Sequence, residues 1–162
     1  MIRAVSLAPG AAAPSGAVLS LPYEARYRRR AVLELTSGET VLLDLAEAAE
    51  LRDGDALALE DGRHVAIRAA AEPLVEIRGD LVRLAWHIGN RHTPCEIQAD
   101  RLLIQRDHVL EAMLTGLGAQ VTPVEAPFQP EGGAYGHGRT HAHSHAPDPQ
   151  ADPNAHIPHR KG

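Results

Sequence analysis

Alternating apolar and polar positions run through the first seventy residues of the chain and give way to helical spacing beyond them. Over residues 18–71 apolar side chains recur at every second position in short runs, the period of a half-buried strand. The candidate strands are residues 18–21, 25–35, 39–44, 56–60 and 63–69. Ser37-Gly38, Asp53-Gly54-Asp55 and Asp61-Gly62 separate them, each supplying a glycine able to take positive φ in a tight turn. Residues 45–51 (LAEAAEL) have helix-forming composition but are too few for a stable helix, so a turn or a single helical turn is expected there. Residues 1–72 thus read as an all-β module. It holds one histidine, His64, with no acid pair and no glycine-rich loop entering a helix, and suits a scaffold or a protein-docking surface.

The period changes at Glu72-Pro73, where proline disfavours helix in the residue before it. Residues 74–78 alternate as a strand and Gly79 turns. Asp80 can cap a helix whose Leu81, Leu84, Ala85 and Ile88 fall at i, i+3, i+4 and i+7, with Gly89 expected to stop it. In the next strand Cys95, Ile97 and Ala99 point one way and Glu96 and Gln98 the other. Asp100-Arg101 turns into residues 102–106. Asp107 caps a second helix carrying Val109, Leu110, Met113, Leu114 and Leu117, closed by Gly118, and Pro123 confines the final strand, residues 119–125, to an edge or an end. The order over residues 73–128 is β-α-β-β-α-β. The fold class predicted is therefore α+β: an N-terminal all-β module, then a ferredoxin-like βαββαβ domain with two helices on one face of a four-stranded antiparallel sheet. The other face is left open and the helices are short, so an oligomer is expected.

Beyond Phe128 the composition collapses into Pro, Gly, Ala, Asp and His without apolar periodicity, so residues 129–162 are predicted to form a disordered tail. Six of the ten histidines lie there: His137, His141, His143, His145, His156 and His159. Several alternate with small residues, which lets a chain wrap an ion, and neutral imidazole suits Ni²⁺, Cu²⁺, Zn²⁺ and Co²⁺. The interspersed pattern differs from the unbroken run of a purification tag. His92 stands apart, just past the predicted end of the first helix. A transition metal wants roughly four or more donors, so His92 needs partners. His108 falls in the first turn of the second helix, where the positive end of the dipole favours a neutral imidazole; it reads equally as a ligand or as an exposed helix-start residue. His87 reads as surface, Cys95 as a buried strand position, and Asn90 and Arg91 as residues that orient the loop.

Charge and cysteine content narrow the classes. A net charge of −5 and a pI near 6.0 argue against general affinity for nucleic acid or acidic membranes. Arg26, Arg28, Arg29 and Arg30 form the one basic cluster, read as a solvated strand face. Cys95 is the sole cysteine, so no internal disulfide forms. Pro9, Gly10 and Pro14 interrupt the N-terminus before any signal-like apolar run, and no stretch approaches the ~20 apolar residues of a spanning helix. A cytoplasmic protein is expected. No HExxH or other fixed ligand set with a general base appears, so an enzyme is not expected.

Several motifs in order carry a family resemblance. They are Leu51-Arg52-Asp53-Gly54-Asp55, Asp61-Gly62-Arg63, Glu72, Gly89-Asn90-Arg91-His92 before Thr93-Pro94, Asp107-His108-Val109-Leu110, Gly116-Leu117-Gly118, Ala126-Pro127-Phe128, the Pro130–Gly136 stretch and the histidine-rich tail. Together they resemble the UreE family of urease accessory proteins over most of the chain. The resemblance implies a nickel metallochaperone working as a homodimer, with His92 of both subunits forming a central site on the two-fold axis and tail histidines completing it. It further implies handover of nickel through the accessory GTPase UreG to the urease apoprotein complex. Members commonly carry a second histidine two residues before the position of His108; here that residue is Arg106. Because protons compete for imidazole, uptake is expected to weaken below about pH 6.5, the ordinary histidine value. The alternative is passive storage or detoxification of nickel, zinc or copper through the tail.

Overall fold

The computed structural model describes residues 1–11 and 16–133 of the chain. Its strands are β1 (Arg3–Ala8), β2 (Val18–Leu21), β3 (Tyr27–Glu34), β4 (Thr40–Glu50), β5 (Ala56–Leu59), β6 (His64–Ala69), β7 (Ala71–Arg78), β8 (Glu96–Ile97), β9 (Leu102–Gln105) and β10 (Gln120–Pro127). Two helices, α1 (Leu81–Gly89) and α2 (His108–Gly116), both fall in the second half.

The strands form two sheets, the first in the order β2-β6-β5-β1-β4-β3. Alternation along these strands sends Leu19, Leu33, Val41, Leu43, Leu57, Val65 and Ile67 to a shared core. The two outer strands approach one another, since the Thr36 amide donates to the Val18 carbonyl at 2.9 Å. Two expectations change here. Residues 3–8 form β1, unrecognised because Ala4, Ser6 and Ala8 carry little strand signal; its place between β4 and β5 comes from pairing with distant residues. Residues 45–50 continue β4 instead of turning. Ala49 and Glu50 pair with Arg28 and Tyr27, and a register shift opposite Arg28–Arg30 takes up the extra length, so long-range pairing overrides local helix propensity.

The second sheet has the order β10-β7-β9-β8 with every pairing antiparallel, and its elements follow as β7-α1-β8-β9-α2-β10. Asp80 accepts the Arg83 amide at 3.3 Å to start α1; Asp107 accepts the Val109 and Leu110 amides at 2.9 and 3.1 Å to start α2. Leu84, Ile88, Leu110 and Leu114 pack on Val75, Ile77, Leu102 and Ile104 of the sheet. β10 lies at the sheet's edge with Pro123 opposite Val75, as the proline required.

The opposite sheet face is not open. Leu74 and Leu103 on it are covered by Tyr23, from a 3-10 turn (Tyr23–Ala25) before β3, and by Phe128, whose rings meet edge to face at 5.4 Å. Arg26, 3% exposed, joins the two halves there: it donates to the Phe128 carbonyl, lies over the Tyr23 ring and faces Glu50 at 3.9 Å. Buried Glu72 is held by the Tyr23 amide at 2.8 Å and the Gln105 side-chain amide at 3.1 Å. A buried carboxylate needs such donors.

Candidate metal centre

The end of α1 decides how His92 is presented. Gly89 does not stop the helix as expected; it lies within it, and Asn90 takes the cap with right-handed backbone. The Asn90, Arg91 and His92 amides then reach the carbonyls of Trp86, Ile88 and Gly89 at 2.9, 3.1 and 3.0 Å. The tightening ends at His92, whose φ of 55° makes it the one non-glycine residue with positive φ among those described. A side chain there carries a backbone penalty of about 1–2 kcal/mol, softened for histidine, which tolerates this region better than most residues. Its imidazole is exposed. Arg91 orients the loop as anticipated, its guanidinium donating to the His87 carbonyl at 3.0 Å. His87 itself is half-buried against Trp86, the rings edge to face at 5.0 Å.

On the outer side of α1, Val82 is 85% exposed and Trp86 64%, with Gly89 completing the stripe at i, i+4 and i+7. The pattern was readable in the sequence, since the chain's only tryptophan sits off the buried face. Exposed tryptophan beside valine is unusual on a free surface.

The segment after Phe128 returns to this neighbourhood. The Gln129 amide donates to Glu96 Oε1 at 2.7 Å and the Glu131 amide to the Cys95 carbonyl at 2.9 Å, three residues past His92. Gln129–Gly132 also wall a cavity of about 310 Å³ with Tyr23, Arg26, Glu50, Arg52 and Asp53. Cys95 packs against the helix-side core, and burial, followed by the nearby Glu131 and Glu96 carboxylates, pushes its thiol up to about 11. A protonated thiol is a poor metal ligand near neutrality. Ile97 shares its direction but not its burial, being 52% exposed because β8 is a two-residue edge strand.

His108 is exposed at the first position of α2. The acids near it are engaged: Asp107 caps the helix, and Glu111 accepts from the Asp107 amide at 3.0 Å and pairs with Arg106 at 3.1 Å. Among the described residues no three His, Cys, Asp or Glu side chains gather as a ligand set, and His92 and His108 are not brought together in one. The sequence-predicted donors His137, His141, His143, His145, His156 and His159 lie outside the described residues.

Sequence reading missed Glu96. Its second oxygen accepts from Gln98, which accepts from Arg101 at 2.8 Å; Arg101 and Arg78 each reach Glu76 at 2.6 Å. These two guanidiniums hold the Glu76 carboxyl below the usual carboxylate range, Arg78 contributing most.

Comparison with known proteins places these features in context. A family model described as "UreE urease accessory protein, C-terminal domain" matches residues 65–159, and one described as "UreE urease accessory protein, N-terminal domain" matches residues 2–70. The "Urease accessory protein UreE" of Paracoccus denitrificans (strain Pd 1222) is 59% identical over 138 residues, covering 85% of this chain and 87% of that protein. The proteins of the same name from Rhodobacter capsulatus and Ruegeria sp. (strain TM1040) are 57% and 60% identical over 129 and 122 residues, covering 80% and 75% of this chain and 83% and 69% of theirs.

Proposed function

The chain belongs to the UreE family of urease accessory proteins, and from that premise we propose that it is a nickel metallochaperone. Two copies associate through the α1 stripe of Val82, Trp86 and Gly89, and each contributes His92 to one Ni²⁺ as cargo. Tail histidines supply further donors, His137, His141, His143 and His145 first, with His156 and His159 beyond them. Zn²⁺, Cu²⁺ and Co²⁺ are further ions the same imidazoles accept. His108 is an auxiliary donor at most, because Asp107 and Glu111 beside it are already engaged.

One observation carries this reading. The exposed imidazole held at left-handed backbone stands three residues before Cys95, whose carbonyl holds the Glu131 amide at the root of the histidine-rich tail. A residue kept in a strained conformation where glycine would serve better points to a use for its side chain. In this reading the organisation is a docking module of residues 1–72, a ferredoxin-like metal-binding domain of residues 73–128, and a metal-binding tail of residues 129–162. The antiparallel order β10-β7-β9-β8 with βαββαβ connectivity supports the middle assignment. The protein performs no catalysis, resides in the cytoplasm and passes nickel through the GTPase UreG to the urease apoprotein complex.

Nickel titration tests the reading on wild type, His92→Ala and a chain truncated after Tyr135, with mass determined in solution. The truncated chain should keep one tight ion per dimer and His92→Ala should lose the tightest event by at least tenfold. An unchanged tightest event in His92→Ala would sink the proposal. Loss of nearly all binding on truncation, with His92→Ala silent, would identify passive storage instead.

A further inference from the structure

We infer that Glu96 is a positioning residue for nickel capture: its carboxylate pins the root of the histidine-bearing tail beside the His92 loop. The inference deepens the reading above and rests on it. Phe128 is fully buried between the two halves of the molecule, so the chain is fixed at that point whatever follows. Beyond it, the segment is held along β8 by two hydrogen bonds, from the Gln129 amide to Glu96 and from the Glu131 amide to the Cys95 carbonyl. The first is the stronger, because its acceptor carries charge. Glu96 is itself braced by Gln98, Arg101 and Glu76, so its carboxylate is oriented before the segment docks.

The consequence is one of reach. His137 lies six residues beyond Glu131, so it can stand no more than about 20 Å from that point. If the clamp opens, the last fixed point becomes Phe128, nine residues away, and the limit grows to about 30 Å. Effective concentration falls roughly as the −3/2 power of tether length, so about twofold is lost for His137 and less for later histidines. Glu96 touches neither the ion nor His92 in this scheme. It acts by placing the donors that do.

The test is nickel affinity by chelator competition on Glu96→Ala and Glu96→Gln, each in the full chain and in the chain truncated after Tyr135, with amide hydrogen exchange at Gln129 and Glu131. In the full chain Glu96→Ala should weaken nickel binding about twofold and raise exchange at both amides at least tenfold. Glu96→Gln keeps an oxygen acceptor and should restore both. In the truncated chain Glu96→Ala should leave affinity unchanged, which a general disturbance of the His92 loop would not. Wild-type affinity for Glu96→Ala in the full chain, or equal weakening in both lengths, overturns the assignment. Truncation without effect on affinity would overturn the part of that reading in which tail histidines complete the His92 site, and the role of Glu96 with it, while leaving the His92 pair standing.

Discussion

The two helices are both nine residues long, both start at an aspartate cap, and both bury a leucine and one further aliphatic side chain on the same sheet face, yet they end differently. α2 closes on Gly118 at φ 89°, with the Gly118 and Ala119 amides returning to Thr115 and Leu114 at 3.0 Å. That ending satisfies the last carbonyls with the residue best able to turn left-handed. α1 has a glycine within reach, Gly89, but leaves it inside the helix and turns left-handed at His92. At the end of α2 glycine takes the left-handed position at little cost; at the end of α1 histidine occupies it at some loss of stability.

The largest expected effect separates the outer faces of the helices. Trp86→Asp on α1 should convert the protein to a monomer and weaken its tightest nickel event at least tenfold, while Val109→Asp at a similarly exposed site on α2 should change neither. Light scattering and nickel titration read both, and dissociation by Val109→Asp would erase the distinction. Next come the endings. Gly118→Ala should destabilise the fold by about 1–2 kcal/mol, since alanine must adopt left-handed backbone. His92→Gly should stabilise it by about 0.5–1 kcal/mol while removing the proposed nickel donor. Urea midpoints decide, and a loss of stability in His92→Gly would end the strain argument. The starts differ less: Asp107 serves two amides and Asp80 one at longer range, so alanine should cost about 1–2 kcal/mol at Asp107 and about 0.5–1 at Asp80.

The smallest effect is chemical. The folded Cys95 thiol keeps its proton up to about 11, against an ordinary value of 9.0, so alkylation by iodoacetamide should be slow at pH 8 and rise toward pH 11. Because the folded state holds this proton more firmly than the unfolded chain, the associated stability is present below pH 9 and is lost as pH rises toward 11. Rapid alkylation of folded protein at pH 8 would mean that Cys95 is open to solvent and to metal.

Local features of the fold were legible in the sequence. The caps Asp80 and Asp107, the stop at Gly118, the buried Leu84, Ile88, Leu110 and Leu114 and the edge position of Pro123 follow from spacing within a few residues, whereas Val109 and Leu117, grouped with the second helix's apolar residues in the sequence, are exposed. What escaped depends on partners far along the chain. β1 and the second half of β4 have weak or contrary local preferences and become strands by pairing with β5 and β3. The covering of the second sheet's other face needs Tyr23, Arg26 and Phe128 together, residues up to 105 positions apart. For the candidate site, the sequence singled out His92 but expected the left-handed turn at Gly89, and the structure puts that turn at His92 itself. Glu96 carried no signal, because its role arises from the amide of Gln129, 33 residues on.

The borders of the second sheet bear on how copies of the chain meet. β10 carries prolines at positions 123 and 127, which offer no amide to a neighbouring strand, and at the far side β8 is only two residues long. Edge-to-edge growth into ribbons is thereby discouraged at both sides. In the dimer proposed above, contact between copies would fall instead to side chains on α1, where two-fold pairing closes on itself and leaves no sticky end for a third copy.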